Sequence, residues 1–120
     1  MGARTVDELV CYRLAVEFRS ACIAITARDQ FKADRRFCDD LRAAARSVAA
    51  NIAEGFCRRT HREFARFLEI SLSSIAETEH HLQEARVLGY ISALEEAECR
   101  KLARRTTIAT SRLRRYLTGR

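Results

Sequence analysis

The chain of 120 residues contains no proline and only four glycines. It therefore lacks the residue that most often interrupts helices, and it has few of the residues that favour β-turns or flexible linkers. Gly55 and Gly89 fall between periodic apolar segments, and Gly119 lies near the end of the chain, a placement typical of helix ends. The sequence predicts an all-α protein with a single domain over residues 1–120.

Long apolar runs are also missing from this sequence. No segment approaches the ~18 consecutive apolar residues of a membrane-spanning helix, and the first residues lack the apolar core of a signal peptide. The five cysteines show no Cys-x-x-Cys spacing, so we expect buried, reduced thiols rather than a zinc site or a redox motif. These features predict a cytoplasmic protein without membrane contact.

Acidic residues are absent from the end of the chain. Residues 100–120 hold eight arginines and lysines and no acid, whereas residues 1–99 hold 14 basic and 16 acidic side chains. The net charge of +6 therefore originates in the last predicted helix. Arginine outnumbers lysine by 20 to 2, and its planar guanidinium suits bidentate contacts with phosphate.

Four segments show apolar residues at the spacing of an α-helix. Short connections between such segments force consecutive helices to run antiparallel. The predicted fold is an antiparallel up-down-up-down four-helix bundle. Its helices are predicted at about 6–28, 36–54, 61–88 and 93–118.

The expected helix boundaries rest on caps that can be identified in the sequence. Thr60 with Glu63, and Ser92 with Glu95, have the spacing of capping boxes that begin the third and fourth helices. Gly55 follows the second helix, at a position that favours a residue tolerant of positive φ. The two middle helices are therefore predicted to form a hairpin with a polar joint.

The first predicted helix carries two apolar stripes on nearly opposite sides. One of them, which includes Val10, Leu14 and Phe18, is expected to face the core of the subunit. A surface helix of a monomeric bundle needs only one such stripe, so the second predicts contact with another copy of the chain. The residues predicted at this oligomer interface are Leu9, Tyr12, Val16 and Ile23.

A dense motif spans the end of the second helix and most of the third. Through it the chain resembles the four-helix-bundle proteins named for the intervening sequences of bacterial 23S rRNA genes. The resemblance covers most of the chain. It rests on Ser47, Asn51 to Gly55, Arg58, Arg59, Glu63, Phe64, Phe67, Leu68, Ser73, Ser74, Glu77, Glu79 and the turn Leu88 to Tyr90.

The resemblance implies a ring-like homo-oligomer, typically a pentamer in this family. Relatives of the family include the accessory variability proteins of diversity-generating retroelements, which are basic and are associated with a reverse transcriptase and nucleic acid. These properties are expectations for the present chain.

Two groups of basic residues are candidates for contacts with nucleic-acid phosphates, and the alternative is a solvated or ion-paired surface. One group surrounds the turn before the third helix, and the other lies on the fourth helix. No base-reading motif is present, so we expect little sequence preference. The candidates are Arg58, Arg59, Arg62, Arg66, Arg100, Lys101, Arg104, Arg105, Arg112 and Arg115.

Polar residues of the second and third helices are expected to form a buried network that fixes the register of these helices. The alternative is a catalytic acid or base, but no nucleophile lies at a suitable spacing. The residues predicted in this network are Ser47, Asn51, Glu54, Ser74, Glu77 and Glu79.

Glu77 and His80 have the spacing of one half of a di-iron carboxylate motif. The second half is missing, and both residues point away from the apolar stripe, so a solvated face is favoured over a metal site. A contact between subunits involving His80, Glu84 and Arg62 is an intermediate possibility. We expect neither a cofactor nor catalytic residues.

Two functions from different classes remain open. The first is a non-enzymatic, oligomeric scaffold that binds RNA or DNA through phosphate contacts. The second is a protein-interaction adaptor whose arginine-rich surface docks an acidic partner such as a reverse transcriptase.

Overall fold

The computed structural model describes residues 2–119, and within that range the chain is helical and contains no β-strand, as predicted. Four helices are long, and the remaining two elements are a 3₁₀ turn and a single short α-helix. The elements are a 3₁₀ turn at Val6–Glu8, α1 at Val10–Ile25, α2 at Asp29–Lys32, α3 at Arg35–Phe56, α4 at His61–Val87 and α5 at Ala93–Thr118.

The four long helices form a helical bundle around one apolar cluster. Helix α3 packs against α4, α4 packs against α5, and α1 packs against both α3 and α5. Helices α3 and α5 therefore lie across the core from each other. Side chains from all four long helices enter the cluster, and Phe18, Leu41, Leu68 and Leu82 are fully buried in it.

The start of the first helix differs from the predicted continuous helix over residues 6–28. Backbone N–H groups of Thr5 and Arg4 donate to the Glu8 carboxylate, which lowers the pKa of Glu8 and caps the 3₁₀ turn. Leu9 then has an extended backbone, with φ −79° and ψ 127°. Its side chain is only 7% exposed, whereas Val10 is 57% exposed. Leu9 therefore belongs to the core of its own subunit and not to the predicted oligomer interface.

The end of the first helix lies at Ile25, before the predicted boundary at residue 28. The hydroxyl of Thr26 donates to the backbone oxygen of Ile23 at 2.7 Å and accepts a hydrogen bond from Nε of Arg42 at 2.7 Å. The following short helix α2 buries Phe31 completely. The Phe31 ring lies 5.2 Å from the Tyr90 ring, so this connection closes one end of the core.

Gly55 has a different role from the predicted one. Helix α3 continues through it to Phe56, and Gly55 is not among the residues with positive φ. A Cβ at this position would lie 2.8 Å from the Cβ of Phe67 and 2.9 Å from Cδ1 of Phe64. Glycine is therefore required because α3 and α4 approach each other closely here.

Of the two predicted capping boxes, the one at Ser92 is confirmed in full, whereas the one at Thr60 forms only its N-cap half. The hydroxyl of Thr60 accepts a hydrogen bond from the backbone N–H of Glu63 at 3.1 Å. Ser92 and Glu95 form a complete capping box, in which each side chain accepts from the backbone N–H of the other residue. Gly89 follows α4 with φ +80°, a conformation that favours glycine.

Candidate nucleic-acid interface

The outward face of α5 carries five exposed cations, which we call the basic strip. Helical spacing of about 100° per residue places all five on the side opposite the buried Cys99, Ala103, Thr106 and Thr110. At about 1.5 Å per residue, the strip extends along roughly 20 Å of the helix. In the described part of the chain, none of the five forms an ion pair. The basic strip consists of Lys101, Arg104, Arg105, Arg112 and Arg115.

One apolar residue interrupts the basic strip. Ile108 lies between its two halves and is 46% exposed. Isolated exposed apolar residues are common on protein surfaces, but this one is surrounded by guanidinium groups on the same helix face. The strip therefore presents mainly positive charge to a polyanion, together with one small apolar contact.

Two of the predicted nucleic-acid contacts are engaged within the chain. Arg58 donates to Glu54 at 2.7 Å, and its guanidinium lies 4.6 Å from the centre of the Phe67 ring. Arg100 bonds Glu96 at 3.0 Å and lies 3.4 Å from Glu79. The positive charges of these two arginines are therefore largely compensated within the subunit.

The remaining predicted cations lie near the start of α4. Arg59, Arg62 and Arg66 are exposed and form no ion pair with the described residues. Arg62 and Arg66 line a groove of about 1000 Å³ between α4 and α5, which we call the α4–α5 groove. Arg59 lies on the turn before α4.

Arg114 also belongs to this region, although it is not among the predicted contact residues. It lines the α4–α5 groove and pairs with Glu69 at 3.2 Å. Its Nε atom is buried and has no hydrogen-bond acceptor in the described residues. Helical periodicity could have indicated this position. It places Arg114 on the flank of α5 next to the buried Leu117 and not among the outward cations.

The structure brings three of the six predicted network residues together between α3 and α4. The hydroxyls of Ser47 and Ser74 are 2.8 Å apart, and the amide of Asn51 donates to the hydroxyl of Ser47 at 2.9 Å. Ser71 adds a bond that was not predicted, from its buried hydroxyl to the backbone oxygen of Val48 at 2.8 Å. These bonds link two helices at fixed positions along their length.

The three predicted carboxylates lie outside this network. Glu54 pairs with Arg58, Glu79 pairs with Arg100, and the Glu77 carboxylate lies 3.6 Å from His81. Carboxylates near the bundle surface find arginine or water more readily than a buried hydroxyl, because burial of a charge is costly. The polar network therefore consists of uncharged groups.

The histidines of α4 do not assemble a recognisable metal site. His80 is exposed, and its ring is next to that of His81, 5.9 Å between ring centres. His81 packs edge-on against Phe37, and neither of its ring nitrogens has a hydrogen-bond partner in the described residues. No group of three or more potential metal ligands converges within residues 2–119.

Most of the cysteine side chains are buried. Four of the five cysteines are buried, and Cys57 is exposed. Burial raises the pKa of Cys11 to about 11, and the hydrogen bond with Cys99 together with burial raises the pKa of Cys22. Since the thiolate is the reactive form, Cys11 and Cys22 are poor nucleophiles at neutral pH.

The predicted oligomer interface lies beside a shallow groove between α1 and α3. Tyr12, Val16 and Ile23 are half-buried on α1. Tyr12 and Ile23 line this groove of about 300 Å³, which we call the α1–α3 groove. Its other lining residues are Arg19, Arg46, Ala49, Ala50 and Ala53.

Within residues 2–119 no helix combines the length and the apolar character needed to cross a membrane. No curated protein matches the chain. A family model described as 23S rRNA-intervening sequence protein matches residues 7–111, which include the entire α3–α4 motif and most of the basic strip. Since the match spans most of the sequence and confirms the resemblance of the motif, the chain belongs to the 23S rRNA-intervening sequence protein family.

Proposed function

We propose that this protein is a non-enzymatic, basic scaffold that binds RNA or DNA through phosphate contacts. The observation that carries the proposal is the basic strip, whose five cations are exposed and have no ion pairs in the described residues. Cations of this kind release condensed counterions when they meet a nucleic-acid backbone, and this release drives binding without base recognition.

The spacing within the basic strip supports a polyanionic ligand. Lys101 and Arg105 are four residues apart, and Arg112 and Arg115 are three residues apart, so like charges are neighbours on the helix surface. Each such pair destabilises a helix by about 0.2–0.5 kcal/mol. A bound phosphate backbone removes this repulsion, whereas water and salt only screen it.

The same proposal includes assembly into a ring-like homo-oligomer of antiparallel up-down-up-down bundles, most simply the pentamer that the family resemblance suggests. The α1–α3 groove supports it, because its alanine floor permits close approach of a helix from another copy and Ile23 and Tyr12 supply apolar contact. Several strips in one assembly raise avidity without any new type of contact.

Salt dependence tests the phosphate mechanism. If a single strand contacts the five cations of one strip, the affinity for a generic RNA oligonucleotide should fall about 100-fold between roughly 50 and 200 mM salt. Fluorescence anisotropy of a labelled RNA at several salt concentrations measures the slope. An affinity that stays constant over this range contradicts binding through phosphates.

Assembly through the α1–α3 groove is tested by substituting Ala50, which lies on its floor. Ala50→Arg fills the groove and adds a like charge next to Arg19 and Arg46, so we expect the assembly to dissociate into single subunits. Ala43→Arg is the matched control, because Ala43 is exposed on α3 and is not part of this groove. Native mass spectrometry reports the number of subunits in the assembly. An unchanged number of subunits for Ala50→Arg overturns this interface.

A protein-interaction adaptor is the second candidate. Ile108 favours it, because an apolar side chain within a cationic face suits a protein surface that presents acidic residues around an apolar patch. The resemblance to retroelement accessory proteins suggests a reverse transcriptase as such a partner. The two candidates differ in whether the purified protein retains nucleic acid.

A further inference from the structure

The α4–α5 groove differs from the basic strip in shape and in lining. It is a concavity of about 1000 Å³, large enough for a nucleotide, whereas the strip is a convex helix face. Its floor includes Ala65 and Leu117, which are both buried. Arginines stand on both walls, Arg62 and Arg66 on α4 and Arg114 on α5.

The positive charge in this groove is only partly compensated. Glu69 pairs with Arg114, and the Glu63 carboxylate accepts a hydrogen bond from the hydroxyl of Thr60 at the helix cap. Arg62 and Arg66 form no ion pair with the described residues, although they are one helical turn apart and repel each other. Two uncompensated guanidinium groups therefore face one concave space.

Arg114 adds a third guanidinium to the lining of the same space. Its Nη1 atom is 3.2 Å from Glu69, while its Nε atom is buried without an acceptor in the described residues. A buried donor without a partner is costly, so the Arg114 side chain gains hydrogen bonds if it turns its guanidinium toward an acceptor in the groove. The arrangement therefore favours an anion with several acceptor oxygens.

We propose that the α4–α5 groove binds a phosphomonoester, with Arg62 and Arg66 on the phosphate oxygens and the Arg114 guanidinium turning to donate to the same group. A phosphomonoester carries about −1.5 to −2 charges at neutral pH and three strong acceptor oxygens, which suits a groove lined by three arginines, two of them without an ion pair in the described residues. A phosphodiester carries a single negative charge. The attached sugar lies over Ala65 and Leu117 at the floor of the groove.

This inference goes beyond binding of nucleic acid by the basic strip and does not depend on it. The same phosphomonoester chemistry occurs in a free nucleoside monophosphate and in the terminal phosphate of a nucleic-acid strand. Internal phosphates of a strand are diesters and belong to the basic strip. The two sources are distinguished by separate arms of the experiment.

The first arm uses adenosine 5′-monophosphate, with dimethyl phosphate as the diester control, and follows arginine Nε–H signals by NMR. We expect the monophosphate to shift the signals of Arg62, Arg66 and Arg114, and the variant R62Q/R66Q to lose at least about tenfold in affinity. The variant R104Q/R105Q changes the basic strip by the same charge and should keep this affinity.

The second arm compares an RNA oligonucleotide bearing a 5′-phosphate with the same oligonucleotide bearing a 5′-hydroxyl. A preference of about tenfold for the 5′-phosphate that is lost in R62Q/R66Q identifies the strand end as a source. Discrimination in either arm that is lost in R62Q/R66Q supports the groove as a phosphomonoester site, and discrimination that persists in this variant overturns it. The absence of discrimination in both arms overturns it, and steep salt dependence of RNA binding in the same samples would show that the strip still functions.

Discussion

Reversing the charge of Arg104, Arg105, Arg112 and Arg115 to glutamate should lower the affinity for generic RNA on the order of 1000-fold at moderate salt. Four of the five strip cations then become anions, so contacts with phosphate are replaced by repulsion. All four side chains are exposed and form no ion pair in the described residues, so the fold should be retained. Electrophoretic mobility shift measures the affinity, and circular dichroism verifies the helix content.

A matched control separates local contacts from net charge. The variants R35E/R36E and R104E/R105E change the net charge equally, but the first pair lies at the start of α3, where acidic residues suit the helix dipole. We expect only the second pair to weaken binding strongly. Equal losses in both would show that overall charge drives the interaction, and retention of co-purifying nucleic acid by the quadruple variant would show that the strip is not the site of binding.

Gly55→Ala should destabilise the protein by about 2 kcal/mol, although alanine is normally the better helix former. The added Cβ would lie 2.8 Å from the Cβ of Phe67 and 3.2 Å from the backbone oxygen of Phe64. Neither atom is at the flexible end of a side chain, so α3 and α4 must move apart. Urea unfolding at a fixed protein concentration measures the change in unfolding free energy.

Ala43 provides the control for this substitution because it is exposed on the same helix. Ala43→Gly should cost about 1 kcal/mol, the ordinary difference in helix propensity. Alanine is then the stabilising residue at position 43 and the destabilising residue at position 55. A gain in stability for Gly55→Ala would mean that the two helices do not approach each other as closely as described.

Features determined by neighbours in the sequence were predictable. The caps at Thr60 and Ser92 depend on residues three positions apart, and the turn at Gly89 depends on one backbone conformation. The hydroxyl pairing of Ser47 with Ser74 was also accessible, because both lie at helical spacing on facing flanks of a predicted hairpin. Local sequence patterns thus predict the helices and most of the connection between α3 and α4.

Features determined by three-dimensional contacts were not predictable in the same way. Leu9 was placed on the wrong surface because helical periodicity was extended through a residue with an extended backbone. The pairing of Arg100 with Glu79 and Glu96 depends on how α4 and α5 are aligned, which composition does not specify. The α4–α5 groove was missed for the same reason, since Arg62 and Arg114 are distant in sequence.

The placement of α5 across the core from α3 has a geometric consequence for any assembly of this chain. A molecule lying on the outer side of α5 covers none of the small residues on α3 that a sister subunit would contact. Contact between subunits at α3 and binding of a ligand at α5 would therefore use different parts of the surface. Every copy in the proposed assembly brings one more basic strip of five cations, so the positive charge grows in proportion to the copy number.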